Sequence, residues 1–489
     1  MRGFDTMERA AALVVMSVIV LAMSSSGCLL PWWDEEGGEI YIVGFNDERA
    51  YFDGQAIVGM GPRLSGTDAE HQVAGYIRDR FLEAGLSNVH IEWYNVTCYE
   101  VNSASFSLVI YDQIGREDEK IEYEHLTEFV LQGYSGSRDW DDRLDDLEIV
   151  DVGDGTNESA YEDVDGKAVL VTSEGVASGN LTFTDLFVRA WENGAAANTV
   201  QNVHIHEELD YPPIAFTASV GDRGHWKPLP DDYPEGQGPD IPSFMVSKEA
   251  GDEIRSRLAN QFFNPVTGES NVKVRIDFDV TVEMRPLNVV IGDVKGTEDG
   301  IVMLGAHHDT VYVTAGAVDN TCGVATLVEI ARNLADEQPK RTIRLATWGG
   351  EEEAILGSWE YLQAHPDLMD NLTVYCNLDM VNVDLDRGTR VTIGANDEGV
   401  LGGLKEVQRA VVDRYEWARK YEFRYYTSNL THGSDQATFA IEGGKVAVYW
   451  GSGGLEYHTP QDTILHVSQE SLMLCGLIYG SYALMAANA

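Results

Sequence analysis

The sequence predicts a mixed α/β protein, with a mostly parallel sheet flanked by helices and an inserted β-rich domain. From residue 286 onward, apolar strand-like runs alternate with amphipathic helical stretches, the pattern of a sheet covered by helices on both faces. Between about residues 100 and 285, short β-rich runs are separated instead by acidic and glycine-rich loops. The 489 residues, 44% of them hydrophobic, are enough for a large core and more than one folding unit.

Hydrophobic periodicity places the individual elements. Residues 47–86 predict two amphipathic helices separated by a turn at Gly61-Pro62-Arg63. Strands are predicted in the insert at 106–111, 168–172 and 272–282, and after it at 287–291, 301–306, 343–347, 374–380 and 446–449. Helices are predicted at 321–334, 355–364, 400–418 and over the last twenty residues. Sites in such sheets form at the carboxyl ends of strands, so functional residues are expected there.

The first 28 residues have the pattern of an export leader. Arg2 and Arg9 precede an apolar stretch, 10–23, that is too short for a transmembrane helix. The small residues 24–27 then lead to Cys28, as at a lipoprotein processing site. We therefore expect an exported protein anchored to the outer face of the membrane through a lipidated Cys28, or released outside the cell, with residues 29–43 as a tether. A plain signal peptide and an uncleaved anchor are the alternatives, and both also export the protein.

The overall composition excludes some classes of partner. The formal net charge of −46 repels nucleic acid and anionic lipid headgroups. The acidic residues are spread along the chain, which fits an adaptation of the whole surface, such as life in high salt, as well as it fits solubility alone. The remaining cysteines are widely spaced without a CxxC pair, so they are expected to be small buried hydrophobes, although one unassigned bridge stays open. These are Cys98, Cys322, Cys376 and Cys475.

Carboxylate and imidazole residues stand where the predicted buried strands end. They are His307, Asp309, Asp319, Glu351, Glu352, Asp379 and, in a late loop, His458. Burying such groups together is costly unless a divalent cation holds them. Oxygen and imidazole ligands without thiolate suit catalytic zinc, with manganese or cobalt as substitutes. The ligand candidates exceed the needs of one tetrahedral ion and fit two ions that share a bridging carboxylate.

Five sequence blocks, in order, resemble the co-catalytic dizinc aminopeptidase family of zinc exopeptidases, which also contains the glutamate carboxypeptidases. The blocks are Ala306-His307-His308-Asp309, Asp319-Asn320, Gly350-Glu351-Glu352-Glu353 through Gly357-Ser358, Asn377 to Met380, and Tyr457 to Thr463. The resemblance covers about residues 45–100 and 286–489. It implies a peptidase domain over 44–100 and 286–489 that is interrupted by an insert over 101–285.

The resemblance also implies a role for each matched position. His307, Asp319 and Asp379 would hold one zinc ion, and Asp319, Glu352 and His458 the other. Asp309 would accept a hydrogen bond from the far nitrogen of His307 and so fix its tautomer. Glu351 resembles the general base, and Tyr457 the residue that donates a hydrogen bond to the developing oxyanion.

Other polar residues near these blocks are interpreted as non-ligands. His308 and Glu353 fall on variable positions of the pattern, and His365 and His466 have no partner pattern. His432 begins a segment where the family often has a loop near the substrate. In the insert, residues 164–171 and 190–197 resemble a protease-associated domain, which implies a part in substrate access and no catalysis.

The sequence therefore predicts an exported, zinc-dependent exopeptidase that acts on peptides, most simply as an aminopeptidase. A glutamate-carboxypeptidase-like enzyme shares every ligand and remains the main alternative. A glutaminyl-cyclase-like transferase would use a single zinc ion. A non-catalytic receptor-like protein would be expected to lose ligands, and none is missing here. The sequence does not indicate an oligomeric state.

Overall fold

The computed structural model describes residues 30–33, 39–141, 143–203 and 241–489. The predicted leader with Cys28 lies outside these residues. The first elements are strands β1 (Leu30–Trp33) and β2 (Glu39–Ile42), which pair antiparallel. Ile40, Ile42 and Val43 pack into the main hydrophobic core. The prediction that residues 39–43 belong to a tether is therefore wrong, because their apolar side chains are part of the folded domain.

The strands and helices predicted from the sequence occur in the predicted order, with further elements between them. Helices α1 and α2 span Asp47–Val58 and Asp68–Ala84. The next strands are β3 (Ser87–Tyr111), β4 (Glu117–Tyr123), β5 (Phe129–Leu131), β6 (Leu147–Asp151) and β7 (Ala168–Thr172). They are followed by α3 (Glu174–Ala177), α4 (Phe183–Glu192), β8 (Ala197–Gln201), β9 (Ser243–Val246) and α5 (Lys248–Ala259).

The second half of the chain alternates strands and helices. Its elements are β10 (Val272–Val294), β11 (Ile301–His307), α6 (Cys322–Leu334), β12 (Thr342–Trp348), α7 (Leu356–Ala364), α8 (Leu368–Asn371) and β13 (Leu372–Leu378). They continue with β14 (Arg390–Ala395), α9 (Glu398–Arg414), β15 (Glu422–Thr427), α10 (Gln436–Ile441), β16 (Val446–Trp450) and α11 (Gln469–Asn488).

The second half of the chain builds a mixed sheet in the order β15-β14-β16-β13-β11-β12-β10. The strands β13, β11 and β12 are parallel neighbours at its centre, and β16 runs parallel to β13. Because these strands point the same way, their carboxyl ends lie together at one edge of the sheet. The predicted fold class, a mixed and mostly parallel sheet flanked by helices, is confirmed.

Helices cover both faces of this sheet. On one face, α1, α2, α6, α9 and α11 pack on the strands and form the main core. On the other face, a second cluster joins α7 and α10 to the sheet and contains the buried side chains Trp348, Tyr375 and Phe439. Helix α11 is long and apolar enough, by length and composition, to cross a membrane, but 78% of its most apolar stretch is buried inside the protein. Its apolar character is therefore explained by its place in the core.

Two long antiparallel strands connect the halves of the molecule. β3 and β10 pair along almost their whole length, from Ser87 with Asp293 to Ile110 with Val272. One part of β10 pairs with β12 and the other part with β6. The predicted insert boundaries, 100/101 and 285/286, lie inside these two strands. The ladder continues across both boundaries, so the insert is an extension of the same sheet.

The insert has its own packed core at the far part of this ladder. Strands β6, β7, β8 and β9 are parallel neighbours, and β5 closes the edge antiparallel to β9. Helix α5 packs on one face with a group of phenylalanines, and α4 packs on the other. The amphipathic spacing of α4 and its capping box at Thr182 and Asp185 explain why a helix begins there.

Candidate metal centre

Three neighbouring strands carry candidate ligands to the same edge of the sheet. His307 is the last residue of β11, Asp379 directly follows β13, and Glu351 and Glu352 follow β12 after two glycines. Since β11 lies between β12 and β13, the three strand ends are adjacent. Asp319 comes from the turn before α6, and His458 from the loop after β16.

The side chains form two groups that share Asp319. In the first group, His307 Nε2 lies 3.1 Å from Asp319 Oδ1 and 3.3 Å from Asp379 Oδ1. In the second group, His458 Nε2 lies 2.9 Å from Glu352 Oε2 and 3.5 Å from Asp319 Oδ2. The two oxygens of Asp319 thus face different histidines, which is the arrangement a bridging carboxylate requires.

The donor atoms of these groups fit divalent cations. His307, Asp319 and Glu352 offer ligand atoms that all lie within 4.8 Å of one another, and all three residues are buried. Among the described residues, Glu352 Oε1 and Asp379 Oδ1 are buried without a hydrogen-bond partner. Buried carboxylate oxygens are rarely left unpaired, so a cation is the partner that this chemistry calls for.

The carboxylates around His307 and His458 raise the pKa of both rings. Burial alone would lower the pKa of His307, but the carboxylates of Asp379 and Glu351 raise it well above the ordinary value. Burial likewise opposes protonation of His458, and Glu352 and Asp319 raise its pKa well above the ordinary value. In the protein without a cation, both rings therefore act as counter-charges for the carboxylates.

Asp309 supports two parts of the centre at once. Its Oδ1 lies 3.5 Å from His307 Nδ1, on the side of the ring away from the other ligands. The same carboxylate accepts hydrogen bonds from the backbone N–H groups of Glu351 at 3.2 Å and Glu352 at 3.1 Å. The second contact was not predicted from the sequence, and it fixes the turn that presents both glutamates.

Three further residues that the sequence interpretation left without a role hold the bridging turn. The Asp462 carboxylate accepts hydrogen bonds from the N–H groups of Val318 at 2.8 Å and Asp319 at 3.0 Å. Asn320 accepts from Met380 N–H at 3.1 Å and donates to the Leu378 carbonyl at 2.9 Å, which ties the turn to the end of β13. Both lie inside matched motif blocks, which is a signal that could have marked them. The third residue, Arg63, lies outside every block; its guanidinium donates to the Ala315 carbonyl and to Thr321 Oγ1, on either side of Asp319.

Glu351 stands beside the two groups without joining either of them. Its Oε2 is 4.0 Å from His307 Nε2, and the residue is only partly buried. Burial of the carboxyl group raises the pKa of Glu351 well above the ordinary value; His307 opposes this rise, and the charge of Asp379 adds to it. A carboxyl group with a raised pKa beside the cluster suits proton transfer.

Tyr457 covers the second group. Its ring stacks on His458 with the centroids 3.6 Å apart, and the residue is 37% exposed. Burial of the hydroxyl and the charges of Asp319 and Glu352 raise its pKa well above the ordinary value. The hydroxyl therefore stays protonated and can donate a hydrogen bond.

The residues interpreted as non-ligands have other partners. His308 is buried and contacts Glu70 at 2.9 Å and Thr347 at 3.1 Å. Glu353 is buried and accepts a hydrogen bond from Ser65.

The other histidines also lie away from the two groups. His365 contacts Glu92 at 2.8 Å, and His466 lies 3.4 Å from Glu456. His432 is exposed in the loop before α10. Cys98, Cys322, Cys376 and Cys475 are buried and free, so the bridge that the sequence left open is absent among the described residues.

An α/β sheet with histidines and carboxylates gathered at its strand ends suits a metal-dependent enzyme, and the comparisons with known proteins support a metallopeptidase. Residues 288–483, within the peptidase part of the chain, match the model of Peptidase family M28. Aminopeptidase YwaD of Bacillus subtilis is 24% identical over 446 residues, which cover 88% of this chain and 83% of that protein.

Solved structures share the fold. An aminopeptidase from Aneurinibacillus sp. strain AM-1 superposes with a TM-score of 0.64 at 22% sequence identity, over 91% of this chain and 94% of that one. BSAP, a zinc aminopeptidase from Bacillus subtilis, gives a TM-score of 0.65 at 20% identity, over 91% of this chain and 98% of that one. Both alignments extend across the insert as well as the peptidase part.

Proposed function

We propose that this protein is a zinc aminopeptidase that uses two metal ions and a glutamate general base. The observation that carries the proposal is the division of Asp319 between two histidine–carboxylate groups. Residues His307, Asp319 and Asp379 would hold one ion, and Asp319, Glu352 and His458 the other. The donor set of imidazole and carboxylate fits zinc, and similar proteins carry zinc in their names.

Bound zinc supplies a Lewis acid for the scissile carbonyl and lowers the pKa of the water that it binds. Glu351 takes the proton of the attacking water and later delivers it to the leaving amine, a task that its raised pKa supports. The Tyr457 hydroxyl donates a hydrogen bond to the oxyanion that forms as the carbonyl is attacked. Asp309 keeps His307 and the Glu351–Glu352 turn in place during these steps.

The charge around the site favours a substrate with a free amino terminus. Carboxylates in and beside the two groups outnumber the histidines, and Asp435 adds another buried acid there. The arginine that faces these acids, Arg63, is fully buried and already donates to backbone carbonyls. With both ions bound, the acids that are not ligands, Glu351 and Asp435, can still pair with an α-ammonium group, whereas Arg63 is not free to pair with a C-terminal carboxylate. Carboxypeptidase action remains the alternative outcome.

The deciding experiment offers one peptide in three forms to the full-length protein in detergent. The forms have both ends free, the amino end acetylated, or the carboxyl end amidated. We expect the free and amidated peptides to lose residues from the amino end and the acetylated one to persist. Loss of residues from the carboxyl end would replace this proposal with the glutamate-carboxypeptidase-like one. Metal analysis of the same sample should give two zinc ions per chain, and a single ion with cyclisation of N-terminal glutamine would indicate the transferase.

We also propose that the chain is exported and lipid-anchored through Cys28, on the strength of the leader pattern at residues 1–28. Expression with an alkyne-tagged fatty acid should label the protein. Cys28→Ser should remove the label and release the activity from the membrane fraction. Labelling that persists in the variant would contradict the anchor.

We further propose that the insert over 101–285 resembles a protease-associated domain and shapes access to the site. The support is a contact near the candidate ligands: Tyr312, in the loop that follows Asp309, accepts a hydrogen bond from Leu131 N–H at 3.0 Å and lies 3.2 Å from His125 Nε2. Tyr312→Phe should change KM for long peptides more than for dipeptides. Equal effects on both lengths would argue against a role in access.

A further inference from the structure

A fully buried arginine lies beneath the candidate metal centre and has no ion-pair partner in the part of the chain that is described. Arg63 is 0% exposed. Its guanidinium donates to the carbonyl oxygens of Ala315 at 2.6 Å and His308 at 2.8 Å, and to Thr321 Oγ1 at 2.9 Å. Such a fork of fixed N–H donors needs acceptors in matching positions, and here most of them are backbone carbonyls.

These three acceptors belong to one loop, residues 308–321, which carries two parts of the centre. A longer contact, at 3.3 Å, goes to the Gly61 carbonyl in the turn that contains Arg63 itself. His308 lies between the ligand His307 and Asp309, while Ala315 and Thr321 flank Asp319 on its two sides. The backbone of Arg63 adds to the same attachment. Its N–H donates to Thr310 Oγ1 at 2.9 Å, and its carbonyl accepts from Thr310 N–H at 3.2 Å. Arg63, which lies in the turn between α1 and α2, therefore holds the loop near both of its ends.

The charge of Arg63 also faces the carboxylates of the centre. Burial lowers the pKa of Arg63 to about 10, although Asp309 and Asp462 favour the charged form. The guanidinium therefore remains charged at neutral pH. Among the described contacts, none of these acids touches Arg63 directly. Arg63 therefore affects them by long-range electrostatic attraction through the buried interior.

We propose that Arg63 is a positioning residue for the metal centre: it fixes the loop 308–321, and through this loop the separation of Asp309 and the bridging Asp319. This inference rests on the proposed two-metal function. It assigns to Arg63 no contact with substrate or metal. The expected consequence is weaker metal binding when the fork is lost, because a bridging carboxylate must meet two ions at once.

The test compares Arg63→Lys and Arg63→Met with the unchanged protein in its full-length, metal-free form. Each is titrated with Co²⁺ while the visible absorption of bound cobalt is followed, and each is also melted in the absence of metal. We expect the methionine variant to bind the more weakly held cobalt ion about 10–100-fold less tightly and to show an altered absorption spectrum. The lysine variant keeps the charge but cannot reach all the same acceptors. Its cobalt affinity should therefore lie between those of the unchanged protein and the methionine variant.

Arg344→Met is the matched control, since it removes another mostly buried arginine fork from the same domain. Arg344 donates to both oxygens of Asp293 at 2.8 and 2.9 Å and to the Tyr361 hydroxyl at 3.0 Å, away from the centre. The control should melt at a lower temperature but keep the cobalt isotherm and spectrum of the unchanged protein.

The outcomes separate this inference from the proposed function. An Arg63→Met protein that is merely less stable, with an unchanged isotherm and spectrum, would show that Arg63 is only structural. If Arg63→Met does not fold, the same comparison is made with Arg63→Lys and with Thr321→Val, which removes one acceptor of the fork. Failure of the unchanged protein to bind two cobalt ions would instead overturn the proposed function itself.

Discussion

Two regions of this protein bury acidic side chains, and they balance the charge in different ways. Between α1 and α6, Glu329 is fully buried, and its carboxylate accepts hydrogen bonds from Arg49 at 2.7 Å and lies 3.2 Å from Arg332. Asp53 in the same region is held by Arg332 and by the Tyr76 hydroxyl. Every buried acid of this network thus has a cation supplied by the chain itself.

The candidate metal centre lacks that internal balance. Its acids share two histidines and the field of Arg63, and two of its carboxylate oxygens have no hydrogen-bond partner among the described residues. The source of the balancing charge thus distinguishes a structural acid cluster from a metal site. A structural cluster is complete in the protein alone, whereas a metal site is completed by charge from outside. The following predictions test that distinction.

The largest effect is expected at the proposed general base, Glu351. Glu351→Gln removes the proton carrier but leaves the proposed ligands, so turnover should fall about a thousandfold or more while the metal content stays unchanged. Glu353→Gln is the control, because this neighbour is buried, bound to Ser65, and carries a pKa raised well above the ordinary value by its burial and by Asp309. Steady-state kinetics and metal analysis of both variants check the prediction. Substantial activity in the first variant would exclude Glu351 as the base.

Removing the metal should destabilise the centre. It should not change the stability contributed by the arginine network, which consists of Arg49, Arg332, Glu329 and Asp53. With free zinc at a thousand times its dissociation constant, chelation should lower the free energy of unfolding by about 4 kcal/mol. Glu352→Gln should lose the part of this increment that comes from the ion on Asp319, Glu352 and His458. Urea unfolding with and without chelator measures both differences, and an equal response of parent and variant to chelator would contradict the ligand role.

Breaking the arginine network should cost stability whether or not metal is present. Glu329→Gln leaves Arg49 and Arg332 without their shared carboxylate, and we expect a loss of about 3 kcal/mol. Glu48→Gln, an exposed neighbour on α1, should change stability by less than about 1 kcal/mol. Urea unfolding in chelator and in zinc should give the same loss for Glu329→Gln. A loss seen only with zinc would mean that the network is coupled to the centre.

The smallest effect is expected in the pH dependence of stability. It concerns His125, a partly buried titratable ring that stays neutral. Burial lowers the pKa of His125 to about 4, below the ordinary 6.5, so the unfolded chain binds this proton more readily than the folded protein does. Stability therefore falls as the pH decreases from about 6.5 to about 4. His125→Phe should make that fall shallower by about 1 kcal/mol, with allowance for the partly exposed ring. Urea unfolding across this range tests it, with His432→Gln as an exposed control, and parallel curves for parent and His125→Phe would refute the assignment.

The position of the site could be predicted because its residues interrupt apolar strands. His307 and Asp379 end or follow strands of continuous apolar sequence, and the Glu351 turn follows another, so the rule for parallel strands brings them to one edge. The structure has these side chains adjacent. Their division into two ligand sets stays a prediction, since it came from the resemblance to a family and not from the strand pattern.

Other parts could not be predicted, because the contacts involve backbone groups distant in sequence. Arg63 reaches the carbonyl of a residue 245 positions away, and nothing in its own neighbourhood marks those acceptors. The insert boundaries were placed by a change in composition near residues 100 and 285, but the strand alternation of β3 and β10 continues through both points. The change in composition therefore predicted an insert, and only the pairing register could show that the sheet continues through both boundaries.

The pairing of β3 with β10 shows how a folded unit can be added to an existing sheet. Val101 and Val280 are opposite each other in one ladder, so the chain leaves the peptidase part and returns to it at neighbouring points. Such a pair of strands is a hairpin whose tip has been replaced by a folded unit. Since lengthening a loop between fixed ends adds little closure entropy, the host sheet can accept the addition without changing its register. Conversely, the residues between this pair could be exchanged for a two-residue Asn-Gly turn, leaving a shorter chain that keeps every peptidase strand.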